Sequence, residues 1–185
     1  GNIKLEFMNL NLNELVQQVN GEFAERFESR NLDLICILQP EPLLICADSR
    51  RIWRVLENLY VNVCKYAMPG TRVYVDAIRK DGKIQFSIKN ISENALNCEA
   101  DELTERFIRG DVSRSTEGSG LGLSIAKNLT VLQHGTFDIY LDGDLFKVTI
   151  TFDEAVKEKK PEASGYTAKP EMPEEDLEKP SSDTI

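Results

Sequence analysis

Apolar residues fall on one helical face over residues 11–29, where Leu12, Leu15, Val16, Val19, Phe23 and Phe27 recur at three- and four-residue spacing. A second helix is predicted from Asp48 or Ser49 to about Ala67, where Pro69 and Gly70 stop it. Its Ile52, Val55, Leu56, Leu59 and Val63 sit at i, i+3, i+4, i+7 and i+11 and form a core stripe. A third helical pattern starts near Leu121 and runs through Leu132. Between these stretches the pattern changes to alternation. A short extended start over 3–10 and strands over 32–38 and 43–46, separated by Pro40 and Pro42, are predicted. Residues 73–79 and 83–90 flank Asp81-Gly82, a pair suited to the positive φ angles of a tight hairpin turn, and a second hairpin is predicted over 136–152 around Asp142-Gly143-Asp144. Two or three helices on one face of a mixed, mostly antiparallel sheet make an α+β, two-layer α/β sandwich.

Charge divides the chain. Residues 1–152 carry 17 basic and 21 acidic side chains and residues 153–185 carry 5 and 10, so a net −4 and −5 account for the total of −9. The first segment is read as one domain, and the second, which holds four of the seven prolines, as an acidic, disordered tail too poor in apolar surface to offset its ordering entropy. The mildly acidic body lacks the basic face that nucleic-acid binding requires. No apolar run reaches the roughly 20 residues of a membrane span, so membrane insertion of this piece is not expected. Cys36, Cys46, Cys64 and Cys98 form no CxxC pair and are read as free thiols in a reducing, cytoplasmic setting. The chain starts at Gly1 without methionine, as a piece excised from a longer protein would.

Beside its core stripe the second helix carries another row: Asn58, Asn62, Lys65 and Tyr66 at i, i+4, i+7 and i+8. Amide oxygens are hard ligands suited to Mg²⁺, and an ammonium is a point charge suited to phosphate. A solvated helix face is the plain alternative. Residues 117–127 read EGSGLGLSIAK, in which Gly118, Gly120 and Gly122 let backbone N–H groups approach an anion at a helix N-terminus. The segment matches neither GxxxxGK[ST] nor a dinucleotide GxGxxG preceded by a strand. Residues 110–117 read as a lid over a bound ligand.

These segments, in this order, resemble a known family. RRIWRVLENLYVNVCKYA resembles the asparagine box, ERFIRGD the phenylalanine box and GSGLGLSIAK the second glycine box of the ATP-binding catalytic domain of sensor histidine kinases. That domain shares its Bergerat-type ATP-binding fold with gyrase, the ninety-kilodalton heat-shock chaperone and the mismatch-repair ATPases. The resemblance covers roughly residues 10–152. It implies that Asn62 coordinates a Mg²⁺ bridging the ATP phosphates, with Asn58 lining the same site. Lys65 and Arg109 would neutralise phosphate charge, Tyr66 would pack near the nucleotide, and Arg114 would add a contact. Gly118, Ser119, Gly120, Leu121, Gly122 and Leu123 would supply backbone donors and lid closure.

The chain departs from the family pattern at two places. Asn90 stands at the position of an adenine-reading aspartate and Ser92 at that of a following glycine; an amide oxygen still accepts a hydrogen bond, without the charge. The third glycine box, DGDLF over 142–146, lacks the common Gly-Thr pair. ATP-hydrolysing relatives carry a water-activating glutamate four residues before the magnesium asparagine. Here that residue is Asn58, and Glu57 lies about 100° around the helix. Phosphoryl transfer to a protein therefore fits better than hydrolysis. The acceptor would be a histidine on a separate dimerisation domain of the same parent, a response regulator would take the phosphoryl group onward, and the parent would be anchored in the cell membrane. His134, the one histidine, reads as structural. Two alternatives stay open: a non-catalytic nucleotide-binding or partner-docking module, and a serine kinase of the anti-sigma-factor type or an ATPase of the same superfamily.

Overall fold

The computed structural model describes residues 4–96 and 121–156. Its elements run β1 (Phe7–Asn11), α1 (Leu12–Ser29), β2 (Asp33–Leu38), β3 (Leu44–Asp48), α2 (Ser49–Tyr66), β4 (Arg72–Lys80), β5 (Lys83–Ile91), α3 (Gly122–Leu132), β6 (Thr136–Asp142) and β7 (Leu145–Asp153). Side chains start both long helices: Asn11 Oδ1 accepts from the Asn13 N–H, and Asp48 accepts from the Arg50 and Arg51 N–H groups. The helix α2 ends as expected before Pro69.

Five strands form the main sheet in the order β2-β4-β5-β7-β6; β2 and β4 are parallel and the other neighbours antiparallel. Asp81 and Gly82 take φ of 52° and 72° in the β4–β5 turn, as a two-residue hairpin of this hand requires. In-register inward positions assemble the core layer: Val75 lies opposite Ile88, Ala77 opposite Phe86, and Phe86 opposite Ile150. The alternate positions of these strands are mostly half-buried. Against the inward layer pack Val16, Val19, Phe23 and Phe27 of α1 and the predicted stripe Ile52, Val55, Leu56, Leu59 and Val63 of α2, all buried. This is the expected α+β sandwich with a mostly antiparallel sheet.

Three details differ from the sequence reading. Leu15 is only half-buried at the margin of α1. The N-terminal strand starts at Phe7 and pairs antiparallel with β3 in a separate two-stranded sheet. Finally, pairing runs past Phe152: Asp153 ends β7, Glu154 bridges to Ile45, and the Ala155 N–H donates to Leu44 O at 2.8 Å.

Candidate functional site

Where the C-terminal half of α2 meets the end of β5 and the start of α3, the fold leaves a cavity of about 240 Å³. Asn62 and Tyr66 of α2, Asn90 of β5, Leu123 of α3 and Phe146 of β7 line it, with Ser92, Asn94 and Leu96 from the segment after β5. Asn90 and Phe146 come together because they are register partners across β5 and β7. Backbone bonds hold the wall after β5: the Glu93 N–H donates to Tyr66 O, the Ser92 N–H to Asp144 O and the Met68 N–H to Ile91 O.

Asn62 and Tyr66 lie one turn apart, so both project to this end of α2. Asn90 is 2% exposed. Its Nδ2 donates to Ile91 O at 3.2 Å, while its Oδ1, also buried, has no hydrogen-bond partner. Apolar walls come from Leu96, Leu123 and Phe146, and the polar lining groups are neutral amides and hydroxyls. This chemistry suits an aromatic heterocycle whose edge carries hydrogen-bonding groups.

The structure thus gathers Asn62, Tyr66, Asn90 and Leu123 in one place. Asn58 stands one turn before Asn62 but is not a lining residue; its Nδ2 donates to Arg54 O at 2.7 Å, and its Oδ1 faces α3. A Cβ on Gly122 would lie 3.3 Å from that oxygen, so a glycine lets the start of α3 come close to α2. Lys65 is exposed on the last turn of α2, beside the cavity rather than in its lining. Leu121 is the N-cap of α3 and makes no side-chain capping bond. Arg109, Arg114, Gly118, Ser119 and Gly120 lie outside the described residues. His134 sits beyond the C-cap of α3 at φ 67° and stacks on Phe7 with ring centroids 5.7 Å apart, as a structural residue would.

Ser92, Asn94, Leu96 and Phe146 were not foreseen as site residues. Phe146 was within reach, since the even-numbered positions of β7 point inward opposite those of β5. A larger, open groove of about 830 Å³ borders α1, β2 and β4, but none of the candidate residues lines it. Among the described residues, no group of three or more His, Cys, Asp or Glu side chains is placed to hold a metal.

A mixed sheet backed by helices, with a cavity between an asparagine-bearing helix and the sheet's end, defines a nucleotide-binding α/β sandwich. The chain belongs to the family described as Histidine kinase-, DNA gyrase B-, and HSP90-like ATPase, whose model matches residues 47–167. It is 30% identical over 123 residues to the signal transduction histidine-protein kinase BaeS of Escherichia coli, covering 65% of this chain and 26% of the relative. It is 30% identical over 135 residues to the sensor protein VanSC of Enterococcus gallinarum, covering 72% and 37%. The solved catalytic domain of the histidine kinase ThkA superposes with a TM-score of 0.70 at 25% identity, over 81% of this chain and 97% of that one. ThkA in complex with the response regulator protein TrrA shares the fold at 24% identity and a TM-score of 0.66, over 84% of this chain and 44% of that one. The chain therefore corresponds to the ATP-binding catalytic domain of histidine kinases and spans 14% to 37% of the length of the curated relatives it matches.

Proposed function

We propose that this domain transfers the γ-phosphoryl group of ATP to a histidine on a separate dimerisation domain of its parent. The observation that carries this reading is the meeting of Asn62 and Asn90 in one apolar-walled cavity beside the start of α3. The purine would lie between Leu96, Leu123 and Phe146, with Tyr66 at its margin. The phosphates would extend toward the N-terminal turn of α3, where the helix dipole places partial positive charge.

The donor set fits Mg²⁺. This ion takes few protein ligands and keeps waters and phosphate oxygens, so one amide oxygen from Asn62 suffices. When bound, Mg²⁺ neutralises charge on the phosphates. Lys65, Arg109 and Arg114 would add cationic contacts, and the backbone of residues 118–123 further donors. The acceptor's imidazole nitrogen attacks the γ-phosphorus in line as the bond to the bridging oxygen breaks and ADP leaves. The chain's own part is positioning and charge neutralisation. With Asn58 bonded to Arg54 O, the described site supplies no base for water.

By analogy with ThkA and TrrA, a response regulator would receive the phosphoryl group, and the parent would sit at the cell membrane as sensor kinases do. No helix among the described residues is long and apolar enough to cross a membrane. The domain is taken to run a few residues past 152, through the pairing of Glu154 and Ala155, with the remainder as a tail.

The test is calorimetric titration with ATP, with Mg²⁺ and with EDTA, on the wild type and Asn62→Ala. The variant should lose at least about tenfold in Mg²⁺-dependent affinity, the scale of one charge-assisted contact, and melt near the wild-type temperature. Unchanged affinity would remove the role given to Asn62. Adding a histidine-bearing dimerisation domain should yield acid-labile phosphohistidine, whereas steady phosphate release without it would favour an ATPase.

A further inference from the structure

We propose that the acidic stretch EEDLE of this chain, residues 174–178, docks on the outer face of the main sheet against the lysine pair Lys89 and Lys147. On the inner face β5 and β7 present Ile88, Asn90, Phe146 and Val148, all buried, and α1, α2 and α3 bury side chains in that same layer. The residues between these positions point to the other side. Register sets four of them in one row across the sheet: Tyr74 of β4 opposite Lys89 of β5, Lys89 opposite Lys147 of β7, and Lys147 opposite Tyr140 of β6.

Side chains directly opposite one another stand about 4.5–5.5 Å apart at Cβ, where two like charges are unfavourable. Lys89 turns toward β4, its Nζ resting 5.3 Å from the centre of the Tyr74 ring. Among the described residues neither lysine is in an ion pair. Of the carboxylates on this face, Asp76 accepts the Ser87 hydroxyl at 2.8 Å, and Asp138 and Asp142 stand diagonal to Lys147 on β6 without pairing with it. An anion between the two ammonium groups would offset their repulsion. The chain carries such an anion within reach: four of the five residues 174–178 are acidic, and the fifth, Leu177, could lie on the exposed ring of Tyr140. From Lys147 to the end of β7 at Asp153 is about 20 Å at ~3.3 Å per residue. Seventeen residues, 157–173, join the last described residue to the acidic stretch. A flexible chain of that length has an end-to-end distance of about 23 Å, and a tethered group reaches its highest effective concentration when linker and span match. The contact works through charge and needs no folded segment.

The test is amine footprinting of the full chain at low ionic strength, with acylation rates read lysine by lysine by mass spectrometry. Wild type is compared with a variant carrying Glu174→Gln, Glu175→Gln, Asp176→Asn and Glu178→Gln, which leaves the sheet's own sequence untouched. Lys89 and Lys147 should react at least about threefold faster in the variant, the scale of one exposed ion pair, while Lys65 and Lys80 stay as they were. Salt at about 0.5 M should have the same effect on the wild type. Lys80 is the informative control: it pairs with Lys83, whose partner across β5 and β7 is Asp153, so it lies nearer the tail's origin and a tail without a preferred seat would shield it more. Unchanged rates at Lys89 and Lys147 would overturn the proposal, as would an equal rise at Lys65 and Lys80. Protection that vanishes on dilution of the wild type would give the face to a neighbouring copy's tail and overturn the intramolecular contact.

Discussion

A methyl group at residue 135 would lie 2.7 Å from a ring carbon of Phe152 and 2.9 Å from the methyl of Thr130, both buried where the end of α3 turns into β6. Gly135→Ala must push β7 or α3 aside, and overpacking of this kind costs about 1–3 kcal/mol. Urea unfolding should register that loss without a change in slope. Asp48 makes a different single-residue contribution. Its carboxylate caps α2 and also accepts the Glu6 N–H at 2.9 Å. That last bond, ahead of the capping bonds, holds its pKa below the ordinary 3.8 against the opposing effect of burial. A folded-state pKa below the unfolded one adds stability that is complete above the ordinary value and lost as pH falls through the lowered one. Asp48→Asn should therefore flatten the acid limb of a stability-versus-pH curve below about pH 4 and change little of its slope at neutrality.

Individual elements were legible where their signals are local. The stripe of α2, the start of that helix at Asp48 or Ser49 and the Asp81-Gly82 turn depend on residues a few positions apart, and each lies where the sequence put it. Pairing partners were not legible in the same way. Nothing in the alternation of residues 33–38 says that they run parallel to β4, and nothing near Phe7 says that β1 joins β3, because those choices depend on packing across the molecule. The site divides along the same line: the Asn62 and Tyr66 row is a helix-spacing signal, while Asn94 and Leu96 enter only through the path of the chain after β5. Arg30 helps to set that path. At the C-cap of α1, its Nη2 donates to Ala67 O at 3.1 Å and to Glu93 Oε2 at 3.2 Å, tying the ends of α1 and α2 to the cavity wall. The ion pair is largely solvent-screened and contributes little by its charge. The shared geometry should matter more. Arg30→Met should weaken ATP binding by about fivefold, equivalent to ~1 kcal/mol, with Glu93→Gln doing less. Titration of both variants checks the order.

For the whole molecule, the bonds beyond Phe152 join the two sheets. The Ala155 N–H reaches Leu44 O, and Glu154 pairs with Arg79, whose Nη2 also donates to Pro42 O. A chain ending at Phe152 should therefore melt several degrees below one ending at Val156, since about 1 kcal/mol moves the midpoint of a domain this size by a few degrees. Scanning calorimetry of the two truncations would show whether the body stops at residue 152 or a few residues later. The pairing of β5 with β7 acts over a longer stretch of chain. Asn90 and Phe146 face each other in the finished sheet, yet α3 and β6 lie between them in sequence. During synthesis, the ribosome delivers Asn62 and Asn90 well before the strand that closes the cavity around them. A nascent chain carries the asparagine segment for seconds with no enclosed cavity beside it, and the cavity is complete only once the last strand docks.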